Sequence, residues 1–123
     1  MRRSGFTLIE LLVVLAIVAT LLTLAVPRYF SSLDKSKEAV LKENLFQVRD
    51  AIGRYYADKG KYPGSLDALA QEKYLRKIPA DPLTESATTW IIVPPQDLEK
   101  GGVYDIRSGA PGNAHDGTAY AEW

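Results

Sequence analysis

A chain of 123 residues without cysteine has room for one small domain, and can form neither a disulfide nor a thiolate metal site or thiol nucleophile. Its 15 basic and 15 acidic side chains cancel to a formal net charge of +0, so the total shows no basic footprint for nucleic acid. The chain opens on Arg2-Arg3-Ser4-Gly5-Phe6-Thr7-Leu8-Ile9-Glu10 and runs into the apolar stretch Leu11 to Val26. As a helix, Phe6 to Val26 is roughly 31 Å long, close to the hydrocarbon thickness of a bilayer. In lipid only a helix satisfies such a backbone without partner strands, and Arg2 and Arg3 mark the cytoplasmic side. A cleaved secretory signal would have a shorter apolar core ending in a small-x-small site, whereas this run is longer and holds an acid near its start. That acid, Glu10, costs about 2.5–3.5 kcal/mol inside a span, and no Lys, Arg or His from Phe6 to Pro27 can pair with it. A bland alternative is an acid favoured by the helix macrodipole, an effect usually below about 1 kcal/mol.

Pro27 closes the apolar run, and its missing N–H predicts a kink or loosened stretch around Ala25 to Arg28. Beyond it Phe30, Leu33, Val40, Leu41, Leu45, Val48, Ile52 and Tyr55 recur at the spacing of one helix face, with charged residues between them. This predicts an amphipathic stem over 28–58. Continuous with the anchor to Ala57, the helix would measure roughly 78 Å. Gly60 is expected to end it as a left-handed cap. Lys61-Tyr62-Pro63-Gly64 reads as a turn, and Ser65 as the N-cap of a short helix through Ala70 with Leu66 and Leu69 facing inward. In the loop region 59–87, Tyr74-Leu75 and Ile78-Pro79 are expected to pack over the stem. Two strands follow in the segment 88–123: Thr88 to Val93, stopped by Pro94-Pro95, and Gly102 to Arg107. Tyr120 to Trp123 is expected as a short third strand or an extended tail. The plan is α+β, a long N-terminal helix packed against a small antiparallel sheet.

Gly5-Phe6-Thr7-Leu8-Ile9-Glu10-Leu11-Leu12 resembles the processing motif of type IV pilin-like proteins. The resemblance implies a membrane prepilin peptidase that cuts between Gly5 and Phe6 and methylates the new amino terminus, with residues 1–5 as a short leader. Cutting would create the partner that Glu10 lacks, a cationic amino group on Phe6 of the same helix or of a neighbour. Glu10 is then expected to set the register between adjacent subunits. The later segments Lys61-Tyr62-Pro63, Tyr74-Leu75, Ile78-Pro79-Ala80-Asp81-Pro82, Tyr104-Asp105-Ile106, Ser108-Gly109 and Glu122-Trp123 resemble the G-type, or major, pseudopilins of type II secretion.

That resemblance also implies a calcium ion in the C-terminal loop, here Ser108 to Thr118. Calcium takes six to eight oxygens, several of them carboxylate. The loop offers one carboxylate, Asp116, with Ser108, Asn113 and main-chain carbonyls, so Ser108 and Asp116 are weak candidates against a glycine-rich turn held by its own hydrogen bonds. His115 beside Asp116 has no second histidine or cysteine to join it and reads as a surface residue. The seven tyrosines read as core and subunit contacts rather than a nucleic-acid track. No catalytic residue is expected, and no phosphate-binding loop is present.

The resemblance implies a single-pass inner-membrane protein of bacteria, N-terminus cytoplasmic and head (28–123) periplasmic, whose helix 6–27 stacks against copies of itself. Its partners would be those copies, minor pseudopilins, the prepilin peptidase and an inner-membrane assembly platform. Such an interface is heterologous and non-closing, so it builds a filament in the periplasm, here one that drives protein export. The alternatives are a type IV pilin or minor pilin for adhesion, motility or DNA uptake, and a membrane-tethered enzyme or binding module.

Overall fold

The computed structural model describes residues 5–123, so Arg2, Arg3 and most of the leader lie outside the described residues. Its elements are a 52-residue helix α1 (Leu8–Lys59), a short helix α2 (Leu66–Gln71) and two strands, β1 (Ile91–Val93) and β2 (Asp105–Arg107). 3-10 turns lie at Leu98–Lys100 and Tyr120–Glu122. The chain divides into two compact units, one reaching to Asp34 and the other from Lys35 to Trp123.

In the first unit the helix runs unbroken through Pro27, so the expected loosening does not interrupt it. Two threonines tie themselves to that helix. Thr20 donates to the Ala16 carbonyl at 2.8 Å and Thr23 to the Thr20 carbonyl at 2.7 Å. These bonds remove hydroxyls from the cost of an apolar environment. The apolar side chains are all exposed: Ile9 at 70 %, Leu15 at 55 % and Leu24 at 67 % are typical. Phe30 and Leu33 are also exposed and form no core, contrary to the reading of their spacing.

The second unit has a core of its own. Leu41, Leu45, Val48, Ala51, Ile52 and Tyr55, at helical spacing on α1, bury one stripe against Leu66 and Leu69 of α2 and against Trp90, Val103 and Ile106. Val40, expected on that face, is 48 % exposed because it sits to one side of the covered stripe. Tyr74, Leu75 and Ile78 pack partly buried on this core as the sequence predicts. Gly60 has φ +72°, and its N–H returns to the Tyr56 carbonyl at 2.8 Å, closing α1 in the left-handed conformation expected. The Ser65 side chain accepts the Ala68 N–H and caps α2.

The strands are shorter than expected. β1 and β2 pair antiparallel in the register Ile91 with Arg107, Ile92 with Ile106 and Val93 with Asp105. Thr88 and Thr89 are not part of the ladder because their polar groups serve a turn: the Thr88 N–H donates to the Ser86 hydroxyl, and the Thr84 and Thr89 hydroxyls share a bond of 2.6 Å. Gly102 and Val103 also fall outside β2, since both N–H groups go to the Pro63 carbonyl. The chain comes so close there that a Cβ on Gly101, at φ +127°, would fall 2.2 Å from the Tyr62 carbonyl oxygen. Tyr120–Glu122 forms a 3-10 turn rather than a third strand, and among the described residues the sheet has two strands. The layout remains α+β.

One buried polar pair joins two loops of this unit. Asp81 and Ser108 are both fully buried. The Ser108 hydroxyl donates to Asp81 Oδ2 at 2.5 Å, while Asp81 Oδ1 accepts the Leu83 N–H at 2.9 Å and the Ala110 N–H donates to the Ser108 oxygen at 3.1 Å. Every buried side-chain nitrogen and oxygen among the described residues has a partner.

Candidate functional site

Gly5 and Phe6 precede α1 in non-helical backbone, and both are exposed. Space around Gly5 is open, and Phe6 is 83 % exposed. The bond between them therefore lies on accessible chain. α1 begins two residues after Phe6, where Thr7 and Glu10 form a reciprocal cap. The Glu10 N–H donates to the Thr7 hydroxyl at 3.1 Å, and the Thr7 N–H donates to Glu10 Oε2 at 3.3 Å. The Leu11 N–H then bonds to the Thr7 carbonyl at 3.2 Å, the first bond of the helix ladder. Two otherwise orphaned N–H groups of the helix start are thus satisfied by one pair of side chains. Thr7 was not singled out from the sequence, although Thr7-Leu8-Ile9-Glu10 has the spacing of a capping box before an apolar run.

The cap explains how Glu10 is tolerated at the start of the helix. One of its carboxylate oxygens has a hydrogen-bond donor and the whole group sits at the positive end of the helix dipole. Phe6, Ile9, Glu10, Val13 and Val14 together line an open hollow of about 520 Å³, apolar except for the carboxylate. Among the described residues that hollow carries no positive group.

In the C-terminal loop the calcium candidates are not brought to a common centre. The Ser108 hydroxyl is committed to buried Asp81. Asp116 is exposed, and its Oδ1 accepts both the N–H of Thr118 at 2.9 Å and its hydroxyl at 2.5 Å. These bonds from Thr118 hold the Asp116 carboxyl below the usual carboxylate range. No group of three His, Cys, Asp or Glu side chains among the described residues is arranged to hold a metal ion. The described side chains of this loop do not make a calcium donor set. His115 is exposed as expected, and its contribution to the loop is its main-chain N–H, which donates to Glu38 at 3.0 Å.

Comparison with known proteins agrees with the arrangement at the N-terminus. Residues 1–26 match the prokaryotic N-terminal methylation motif. The type II secretion system core protein G of Pseudomonas aeruginosa is 34% identical over 97 residues, covering 66% of this chain and 68% of that protein. The protein of the same name from Escherichia coli K12 is 26% identical over 126 residues, 89% of this chain and 83% of its own length. The type IV major pilin protein PilA of Myxococcus xanthus is 36% identical over 61 residues, 50% of this chain and 28% of the pilin. No solved structure matches. The methylation motif, an N-terminal helix long and apolar enough to cross a membrane, and these relatives mark a membrane-anchored protein. With more than two thirds of the Pseudomonas protein matched at this identity, the chain belongs to the family of type II secretion system core protein G.

Proposed function

We propose that this chain is the precursor of a structural subunit of a helical pseudopilus that drives protein export by type II secretion. A prepilin peptidase removes residues 1–5 and methylates Phe6. The helix then spans the inner membrane once, with its N-terminus cytoplasmic and the head, 28–123, periplasmic. Copies of the chain, together with minor pseudopilins and an inner-membrane assembly platform, build the filament in the periplasm. The observation that carries this reading is the first unit itself: from Leu8 to Phe30 the helix exposes its apolar side chains on every side and has one carboxylate, Glu10, in its first turn. Such a surface is complete only in lipid or against other helices.

The chemistry of assembly follows from Glu10. Cleavage after Gly5 frees a cationic amino group on Phe6, and in low dielectric a carboxylate and an ammonium group attract far more strongly than in water. A subunit displaced along the filament axis leaves both groups unpaired, so the pair penalises wrong register. The Glu10→Leu chain should be cut and inserted normally but fail to form filaments when overproduced with the assembly machinery. Filaments at the parental level from that variant would refute the register role.

The partial match to a type IV pilin supports a second reading, a pilin or minor pilin of an adhesion, motility or DNA-uptake system. Deletion of the gene separates them: loss of export with twitching intact supports the pseudopilus, and the reverse supports the pilus. Nothing in the head recommends an enzyme. A groove of about 590 Å³ is lined by Tyr62, Val93, Pro94, Pro95 and Tyr104, with Asp97 and Lys100 as its charged groups, and lacks a nucleophile paired with a base.

A further inference from the structure

The C-terminal loop is held to α1 by a stripe of α1 side chains. Glu38, Lys42, Leu45 and Arg49 are spaced at four, seven and eleven residues, so they lie on one line along the helix. The three polar ones reach the C-terminal segment. Half-buried Glu38 accepts the His115 N–H at 3.0 Å and the Tyr120 hydroxyl at 2.8 Å on the same oxygen, Oε1. The Lys42 ammonium lies 4.7 Å from the centre of the Trp123 ring. Leu45 is buried beneath. Arg49 donates to Asp105 Oδ1 at 2.8 Å, to the Ile106 carbonyl at 3.0 Å and to the main-chain oxygen of Trp123. The loop closes on itself as well: the Ala114 N–H donates to the Thr118 carbonyl at 2.7 Å, and the Trp123 indole N–H to the Thr118 hydroxyl at 2.7 Å.

We infer that this stripe, with Glu38 as its principal clasp, fastens the C-terminal loop in the role that a bound cation was expected to fill, and that the head folds without calcium. The polarity of the contacts carries the argument. A cation gathers carbonyl and carboxylate oxygens. This loop instead turns two donors, the His115 N–H and the Tyr120 O–H, towards α1. A cation would repel those groups, and a carboxylate satisfies them. The loop's own carboxylate, on Asp116, already serves Thr118.

The test uses the full-length chain in detergent micelles, with hydrogen exchange across residues 108–123 and thermal melting, each in millimolar calcium and in excess chelator. The parent should give the same exchange and the same Tm in both. Glu38→Ala should raise the exchange rate of the His115 amide roughly tenfold, while amides from Leu45 to Ile52 keep parental protection. Tyr120→Phe, which removes one hydroxyl and keeps the ring, should give a smaller rise in the same segment, and it alone decides the matter if Glu38→Ala does not fold. A calcium-dependent rise in Tm or in loop protection of the parent overturns the inference. So does a loop whose exchange is unchanged when Glu38, or the Tyr120 hydroxyl, is removed.

Discussion

The two units spend their apolar residues in opposite ways. Up to Asp34 the side chains of Leu, Val and Ile point outward on all sides of the helix, and its hydroxyls bond back to the helix itself. From Lys35 onward α1 buries one stripe, Leu41 to Tyr55, under a lid of α2, the strands and the loops. The second unit can be stable on its own contacts. The described apolar side chains of the first are exposed, so under the proposed function their packing partners are a bilayer or other copies. A stability measurement on the monomer and an assembly measurement should therefore respond to different residues.

The largest contrast is expected from one substitution made in each unit. Leu45→Ala should destabilise the head by about 2–5 kcal/mol, the usual cost of a core cavity, whereas Leu21→Ala should leave the melting of the head unchanged, because Leu21 is 59 % exposed. Equal losses of Tm would mean that the anchor shares the core of the head. Next in size is Asp81→Ala, which strands the buried Ser108 hydroxyl and the half-buried Leu83 N–H; a loss of about 1–3 kcal/mol is expected in denaturant unfolding. Asp81→Asn keeps one acceptor and should lose less.

A smaller effect distinguishes the helix start. Thr7→Val removes the cap and should cost about 1 kcal/mol locally, seen as faster exchange of the Glu10 and Leu11 amides with no change in the Tm of the head. Thr7→Ser should restore the parental exchange.

The smallest effect is electrostatic. The Lys59 ammonium donates to Glu72 at 2.8 Å. This bond holds the Glu72 carboxyl below its ordinary range, with help from Tyr55, and raises Lys59 above its own. Glu72 thus contributes stability above the usual carboxylate pKa that is lost as pH falls through its depressed folded value. Lys59 contributes below the usual lysine pKa, and that part is lost as pH rises through its raised folded value. Both groups are solvent-exposed, so the effect is slight and screened by salt. Lys59→Met should flatten the corresponding acidic and alkaline shoulders in a plot of Tm against pH, and unchanged shoulders would assign them to other groups.

How far the sequence could be read depended on how local the deciding interaction was. The buried stripe of α1 follows from 3.6-residue spacing, as does the cap at Gly60 from its glycine. The same periodicity also selected Phe30 and Leu33, because a repeat of apolar positions says which face is apolar but not where the covering chain ends. The strands came out short because Thr88, Thr89, Gly102 and Val103 give their polar groups to turns and to the Pro63 carbonyl, partners that the β-rich composition of the segment does not show. At the candidate site Gly5, Phe6 and Glu10 were legible as a contiguous motif, and Thr7 was legible in principle from its spacing to Glu10. The clasp of Glu38 on His115 joins residues 77 apart, and nothing in either neighbourhood signals it.

The opening helix, in the function proposed, assembles only after cleavage. The most direct test is co-expression with a prepilin peptidase followed by mass spectrometry of the recovered chain. Loss of residues 1–5 and a methylated amino group on Phe6 are expected, and both again in Glu10→Leu, whose defect comes later. A chain that stays uncut beside an active peptidase would contradict the proposed function.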